Sequence, residues 1–186
     1  KIIGFIRLRL FVKETLILFQ HSKNVTIESK AKIKPATYDN LNDVLNFQAS
    51  HYLKSFKDFL DDGDKGYFAY IDDKCVHRSW TKTNMQTVYL HPLIPMKLQK
   101  DDVFIHWCET AETARGNKIY PYVLSEIAKT FANKKRILIC VNERNQPSIK
   151  GVKSAGFVPI EVHKLFILCG IKRVRKHIKG SNLNYD

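Results

Sequence analysis

Apolar positions along this chain change period several times, and each change marks an element. Ile6, Leu8, Leu10 and Val12 alternate with Arg7, Arg9, Phe11 and Lys13, a two-residue period that predicts a strand. Residues 15–19 continue it as an apolar run, and residues 21–30 are polar and read as a linker. A short strand over 31–34 stops at Pro35, after which Thr37 is placed to cap a helix carrying Leu41, Val44, Leu45 and Gln48 at helical spacing. A second helix, 50–60, puts Leu53, Phe56, Phe59 and Leu60 on one face. Asp61-Asp62-Gly63-Asp64 lacks the ligand ladder of a calcium loop and reads as a solvated acidic turn. Strands over 66–71 and 75–82 flank a hairpin turn. Residues 85–100 hold two prolines and read as a loop or edge segment, with structural roles expected for Tyr89 and His91.

The second half is more sharply patterned. An apolar strand, 103–108, runs into Ala114-Arg115-Gly116-Asn117-Lys118, and a helix follows over 119–131. A strand over 136–141 gives way to Asn145, Pro147 and Ser148, a short helix and Gly156-Phe157. Residues 158–168 read as a last strand or two, and 171–179 as a basic tail. A strand feeding a basic, glycine-bearing turn and a helix start suits a phosphate. Free N–H groups, the positive end of the helix dipole and a nearby cation all favour an anion there.

These blocks resemble the GNAT (Gcn5-related N-acetyltransferase) superfamily. Arg115-Gly116-Asn117-Lys118-Ile119-Tyr120 is similar to its pyrophosphate loop, and Asn145-x-x-Ser148 followed by Ala155-Gly156-Phe157 to its second block. Two departures stand out. Lys118 occupies a position usually held by Gly or Ala, and Val152 stands where the family often has a tyrosine acid. The resemblance implies an α/β fold, a mixed and mostly antiparallel sheet splayed at its central strand and flanked by helices. It implies acetyl-CoA or another acyl-CoA as co-substrate. Pantetheine would lie along the backbone of residues 107–111, which include Thr110 and Ala111. The pyrophosphate would sit on Arg115, Gly116, Asn117, Lys118, Ile119 and Tyr120, and Asn145 and Ser148 would touch the cofactor or hold the loop. Ser148 can equally cap the following helix.

A base is needed to deprotonate the acceptor ammonium. Glu109 at the strand's end is the favoured candidate and His106 the second. A buried carboxylate there would have a raised pKa. Strand alternation puts His106 and Cys108 on one face and Trp107 and Glu109 on the other. A Cys108 nucleophile is the lesser route, because the resemblance implies direct transfer in a ternary complex.

Composition narrows the class. With 186 residues, 44% apolar and 11% aromatic, the chain can bury a core. Cys75, Cys108, Cys140 and Cys169 are widely spaced and read as reduced, mostly buried thiols in a cytosolic protein, with no metal site expected. A formal net charge of +13 reads either as a solvated basic surface or as the match to an acidic partner, such as a polyphosphate cofactor, an anionic membrane, a charged glycan or nucleic acid. Residues 1–20 are too charged to span a bilayer and read either as an added element packed on the domain or as a basic segment on an anionic membrane.

The sequence therefore predicts an N-terminal extension and linker (1–30), a GNAT-like acyltransferase domain (31–170) and a basic tail (171–186). The expected activity is N-acyl transfer, acetyl first, to a primary amine such as an amino sugar of a surface glycan. The expected setting is the cytoplasm, at the inner face of the membrane. The alternatives are a catalytically silent CoA- or partner-binding protein of the same fold and a basic nucleic-acid-binding module. No recognised nucleic-acid motif supports the last.

Overall fold

The computed structural model describes residues 11–83 and 85–178. The strand positions expected at Ile6, Leu8 and Leu10 lie outside these residues, as does the end of the basic tail from Lys179. The strands are β1 (Phe11–His21), β2 (Lys32–Pro35), β3 (Lys65–Ile71), β4 (Lys74–Lys82), β5 (Thr87–His91), β6 (Ile94–Lys97), β7 (Asp102–Thr110), β8 (Arg136–Asn142), β9 (Phe157–Leu168) and β10 (Ile171–Ile178). The α-helices are α1 (Tyr52–Asp61), α2 (Ile119–Thr130) and α3 (Gln146–Ser154). Eight strands form one sheet in the order β10-β9-β1-β8-β7-β4-β3-β2, and β5 and β6 form a separate hairpin. Every pairing in the large sheet is antiparallel except β7 with β8. The mixed, mostly antiparallel sheet expected from the resemblance is thus the one observed.

The segment expected as an N-terminal extension contributes β1 to the interior of this sheet, between β8 and β9. Its burial explains its composition. Leu16, Ile17, Leu18 and Phe19 are all buried, because a central strand is covered on both faces. Ile17 and Phe19 join the core under α2 and α3 with Val103, Ile105, Val123 and Ile127. Leu16 and Leu18 join the opposite core with Val88, Leu90, Phe104 and Leu165. A full burial of this kind contributes about 1.5–3 kcal/mol per large apolar side chain.

Residues 85–100 fold as a hairpin, not as a loop. Pro92 sits in its turn and Pro95 in β6, whose outer side needs no N–H donor. Val88, Leu90 and Ile94 press this hairpin onto the sheet. The helix expected from Thr37 is a short 3-10 turn, Leu41–Asn46, with no side-chain cap. Asn40 Oδ1 instead accepts from the Thr37 N–H at 2.8 Å, a local turn that competes with helix initiation. Asp64, read as part of a solvated turn, is 4% exposed. The basic tail is an edge strand, with every residue of β10 exposed. None of the four cysteines is paired, and Cys169 is exposed. Among the described residues no helix is long and apolar enough to cross a membrane.

Candidate functional site

The one parallel pair of the large sheet among the described residues comes apart halfway. β7 and β8 are matched from Asp102 opposite Arg136 to Ile105 opposite Ile139, and no further. Beyond that point β7 stays with β4 and β8 stays with β1, so a wedge opens between them. The cause is local. Trp107 has φ 49°, a left-handed conformation that costs a bulky residue about 1–2 kcal/mol, and the β4–β7 register slips between Arg78 and Trp80. Strands that separate leave backbone N–H and C=O groups facing the gap, which suits a ligand that itself lies like a strand.

The kink also overturns the expected alternation. His106 and Trp107 both turn towards α1. Phe59 lies 5.0 Å from the His106 ring and 5.3 Å from the Trp107 ring, centroid to centroid. Glu109 stands opposite Arg78, whose guanidinium lies over the Trp107, Tyr52 and Phe56 rings on that same face. Cys108 packs against the core on the α2 face. The left-handed residue adds half a turn to the strand, so His106, Trp107 and Glu109 share one wall of the wedge and Cys108 lines the other.

His106 has a partner that the sequence concealed. Its Nε2 lies 3.1 Å from Asp64 Oδ2, and the Asp64 side chain is 1% exposed. Lys82 Nζ completes the group at 3.4 Å from Asp64 Oδ1. Glu109, by contrast, is not enclosed. Its side chain is 40% exposed and holds Arg115 at 3.1 Å. Arg78 donates to Gln48 Oε1 at 2.7 Å and to the Trp107 carbonyl, which braces the kink from below.

On the α2 face a buried polar row backs the wedge. His77 is 0% exposed, with Nδ1 2.7 Å from Thr110 Oγ1 and Nε2 2.7 Å from Ser79 Oγ. Burial, with the Arg78 charge beside it, lowers its pKa to about 3. Burial also raises the Cys108 thiol to about 11, which removes the thiolate that the lesser nucleophilic route requires.

The turn at the end of β7 has the conformation of an anion-binding loop. Gly116 has φ 85° and Lys118 has φ 55° at the N-cap of α2. Left-handed residues in such a turn gather N–H groups into a concave nest. In the first helical turn Ile119 and Tyr120 have no intrahelical acceptor and Pro121 has no N–H, so the two free donors point out of the helix start. The left-handed Lys118 explains why a glycine suits this position. The Arg115 side chain is not free for a ligand, since Glu109 and Glu112 hold it at 3.1 and 3.4 Å. The Asn117 side chain donates to the Ala114 carbonyl at 3.2 Å and shapes the turn.

At the wedge's other rim Asn145 caps α3, its Oδ1 accepting from the Ser148 N–H at 3.2 Å. The cap is therefore Asn145, and Ser148 supplies the donor. Val152 is 0% exposed and points into the core. Beside it Gly151 leaves room for the Tyr120 ring, since a Cβ there would lie 2.7 Å from Tyr120 Cδ1. Burial raises the Tyr120 hydroxyl pKa, with the nearby Cys108 adding to it. Among the residues expected from the sequence, Thr110 ends β7, Ala111, Arg115, Gly116, Asn117 and Lys118 lie in the connection to α2, Ile119 and Tyr120 open α2, and Asn145 and Ser148 stand at the start of α3. Asp64, His77 and Arg78 were missed, because nothing local marks a distant partner.

No family model matches the sequence, and no curated protein sequence matches it. Solved structures do match. A GNAT-family acetyltransferase from Colwellia psychrerythraea aligns with a TM-score of 0.64 at 15% identity, over 91% of this chain and 57% of that one. The GCN5-related glucosamine N-acetyltransferase region of a fungal multi-domain GH3 β-N-acetylglucosaminidase aligns at 0.58 and 10%, over 82% of this chain and 20% of that one. Aminoglycoside N-acetyltransferase AAC(6')-Iy, in complex with CoA, aligns at 0.53 and 14%, over 68% of this chain and 91% of that one. The chain spans less than two thirds of the Colwellia structure. Its fold is that of the GNAT acetyltransferases.

Proposed function

We propose that this protein transfers an acyl group, acetyl first, from CoA to a primary amine by direct attack in a ternary complex. The observation that carries the reading is the wedge between β7 and β8 with the left-handed loop 115–118 at its mouth. Strand-like backbone in the wedge suits pantetheine. The free N–H groups of Ile119 and Tyr120 suit the pyrophosphate, and Lys118 supplies the cation that Arg115 has committed elsewhere. Asn145 and Ser148 hold the start of α3 beside it.

The chemistry asks little more. The amine loses a proton, attacks the thioester carbonyl and expels the CoA thiolate, which takes up a proton. His106, steadied by buried Asp64, is the base in this reading. Glu109 receives the acceptor ammonium on the same wall. Trp107, 42% exposed, offers a ring face there, the kind of surface on which a sugar ring stacks. An aromatic face beside a carboxylate is what favours an amino sugar of a surface glycan. The setting is the cytoplasm, at the inner face of an anionic membrane.

Isothermal titration of acetyl-CoA against the wild type and an Arg115→Ala/Gly116→Asp variant tests the site. Micromolar-range binding to the wild type that disappears in the variant supports it, and absence of binding to both overturns it. Thiol release over a panel of amines, amino sugars included, then tests the acceptor.

A further inference from the structure

One end of the large sheet carries a surface that the acyl-transfer reading does not use. Strands β1, β9 and β10 run side by side there, and their register sorts one face into three rows. At the tip Phe11, Leu168 and Ile171 lie abreast, at 60%, 49% and 67% exposure. Behind them Lys13, Phe166 and Arg173 lie abreast, with the Phe11 and Phe166 rings packed edge to face at 5.8 Å. The third row is Thr15, Lys164 and Arg175. Successive rows are about 7 Å apart, two residues of strand. Along one face the polarity therefore climbs from wholly apolar, through mixed, to cationic.

These strands place no carboxylate on that face. Glu14 and Glu161 point to the other, where they meet His91 and Lys176. Among the described residues nothing covers the tip, since Phe11, Leu168 and every residue of β10 are exposed. Residues 1–10, KIIGFIRLRL, join the fold at Phe11, in the apolar row, and they repeat its chemistry with bulky apolar residues, two arginines, a lysine and no acid.

We infer that this face docks on an anionic lipid bilayer, with the Phe11–Leu168–Ile171 row entering the headgroup region and the two cationic rows lying against lipid headgroups. The inference deepens the membrane-side setting proposed above. Depth favours a bilayer over a protein partner. Insertion by one row, to about 5–10 Å, brings Lys13 and Arg173 level with the phosphates and leaves Lys164 and Arg175 about 7 Å above them, within reach of the headgroups. A nucleic acid would have no use for the apolar tip.

The test is co-sedimentation of the full chain with vesicles of phosphatidylglycerol mixed with phosphatidylcholine, and of phosphatidylcholine alone. It needs no CoA, so its outcome is separate from that of the acyl-transfer reading. The wild type is expected to bind the mixed vesicles and not the neutral ones. A Lys164→Glu/Arg173→Glu/Arg175→Glu variant is expected to partition roughly tenfold or more weakly. A Lys30→Glu/Lys32→Glu/Lys57→Glu variant, with the same net charge, is expected to bind as the wild type does. A Phe166→Ser/Leu168→Ser variant keeps every cation and is expected to bind severalfold more weakly. Any of four results overturns the inference: no binding by the wild type, equal loss in the two charge variants, full binding by the serine variant, or a wild-type dimer in light scattering that the serine variant dissolves.

Discussion

Asp64 Oδ2 lies 3.1 Å from His106 Nε2, and the Asp64 side chain is 1% exposed. A carboxylate so enclosed needs its partners, and it has them in His106 and Lys82. In the proposed reaction His106 is the base, and the carboxylate beside its Nε2 is its nearest charged neighbour. His106→Gln is expected to lower kcat about a hundredfold or more while acetyl-CoA affinity stays within about twofold. Unchanged turnover would remove His106 from the reaction and return Glu109 to the role of base. Asp64→Asn is expected to cost about 1–3 kcal/mol in urea unfolding, because the enclosed charge beside His106 and Lys82 is lost while Lys82 keeps Asp62 at 3.6 Å and Gln86 at 3.0 Å.

Lys118 combines a strained backbone with a charge at the loop, and one substitution separates them. Lys118→Gly relieves the left-handed conformation but frees the unfolded chain, so stability is expected to move by less than about 1 kcal/mol. Acetyl-CoA affinity is expected to fall about three- to tenfold as the cation is lost. An unchanged dissociation constant would show that backbone donors alone hold the phosphates.

Gly151 is small because Tyr120 lies against it. A methyl group at 151 would sit 2.7 Å from Tyr120 Cδ1, so the ring or α3 must give way beside the loop. Gly151→Ala is expected to destabilise by about 1–3 kcal/mol, read from thermal unfolding, and to weaken acetyl-CoA binding. Wild-type values for both would show that α3 can slide away from α2 at no cost.

His77 makes stability fall in acid. Its folded pKa of about 3 lies below the ordinary 6.5, so between these values the unfolded chain binds a proton that the folded chain refuses. The contribution is intact above about pH 6.5 and declines towards pH 3, at up to about 1.4 kcal/mol per unit. Urea midpoints measured from pH 7.5 down to pH 4.5 should show a steeper decline for the wild type than for His77→Gln. Parallel declines would mean that other groups govern acid unfolding.

The strand–turn–helix of β7 and α2 was legible because its signals are local: an apolar run, a glycine, a helix period. The left-handed turn at residues 115–118 and the start of α2 followed from it. Three things were not legible, each because the determinant lies far along the chain. Alternation predicts a straight β7, and nothing near Trp107 announces a left-handed residue, so His106 and Trp107 were assigned to opposite walls. Asp64 sits among exposed acids, yet it is buried by Lys82 and His106, which come from other strands. The run at Leu16 to Phe19 marks a strand but not its neighbours. Its apolar character on both faces was the one hint that it lies inside the sheet. Pro92 and Pro95 masked the hairpin of β5 and β6, because prolines count against strands except in turns and at edges.

The place of β1 has a consequence for how the molecule is made. Its partners lie in residues 138–142 and 157–168, so it leaves the ribosome long before anything can pair with it. At ordinary synthesis rates the wait is on the order of ten seconds. Through that interval Leu16, Ile17, Leu18 and Phe19 form a naked apolar strand. The sheet cannot close until its latest segments have emerged, and the slow joining of distant strands sets the pace of folding. Its most exposed moment is therefore during synthesis, before residues 138–142 and 157–168 have emerged to cover this segment.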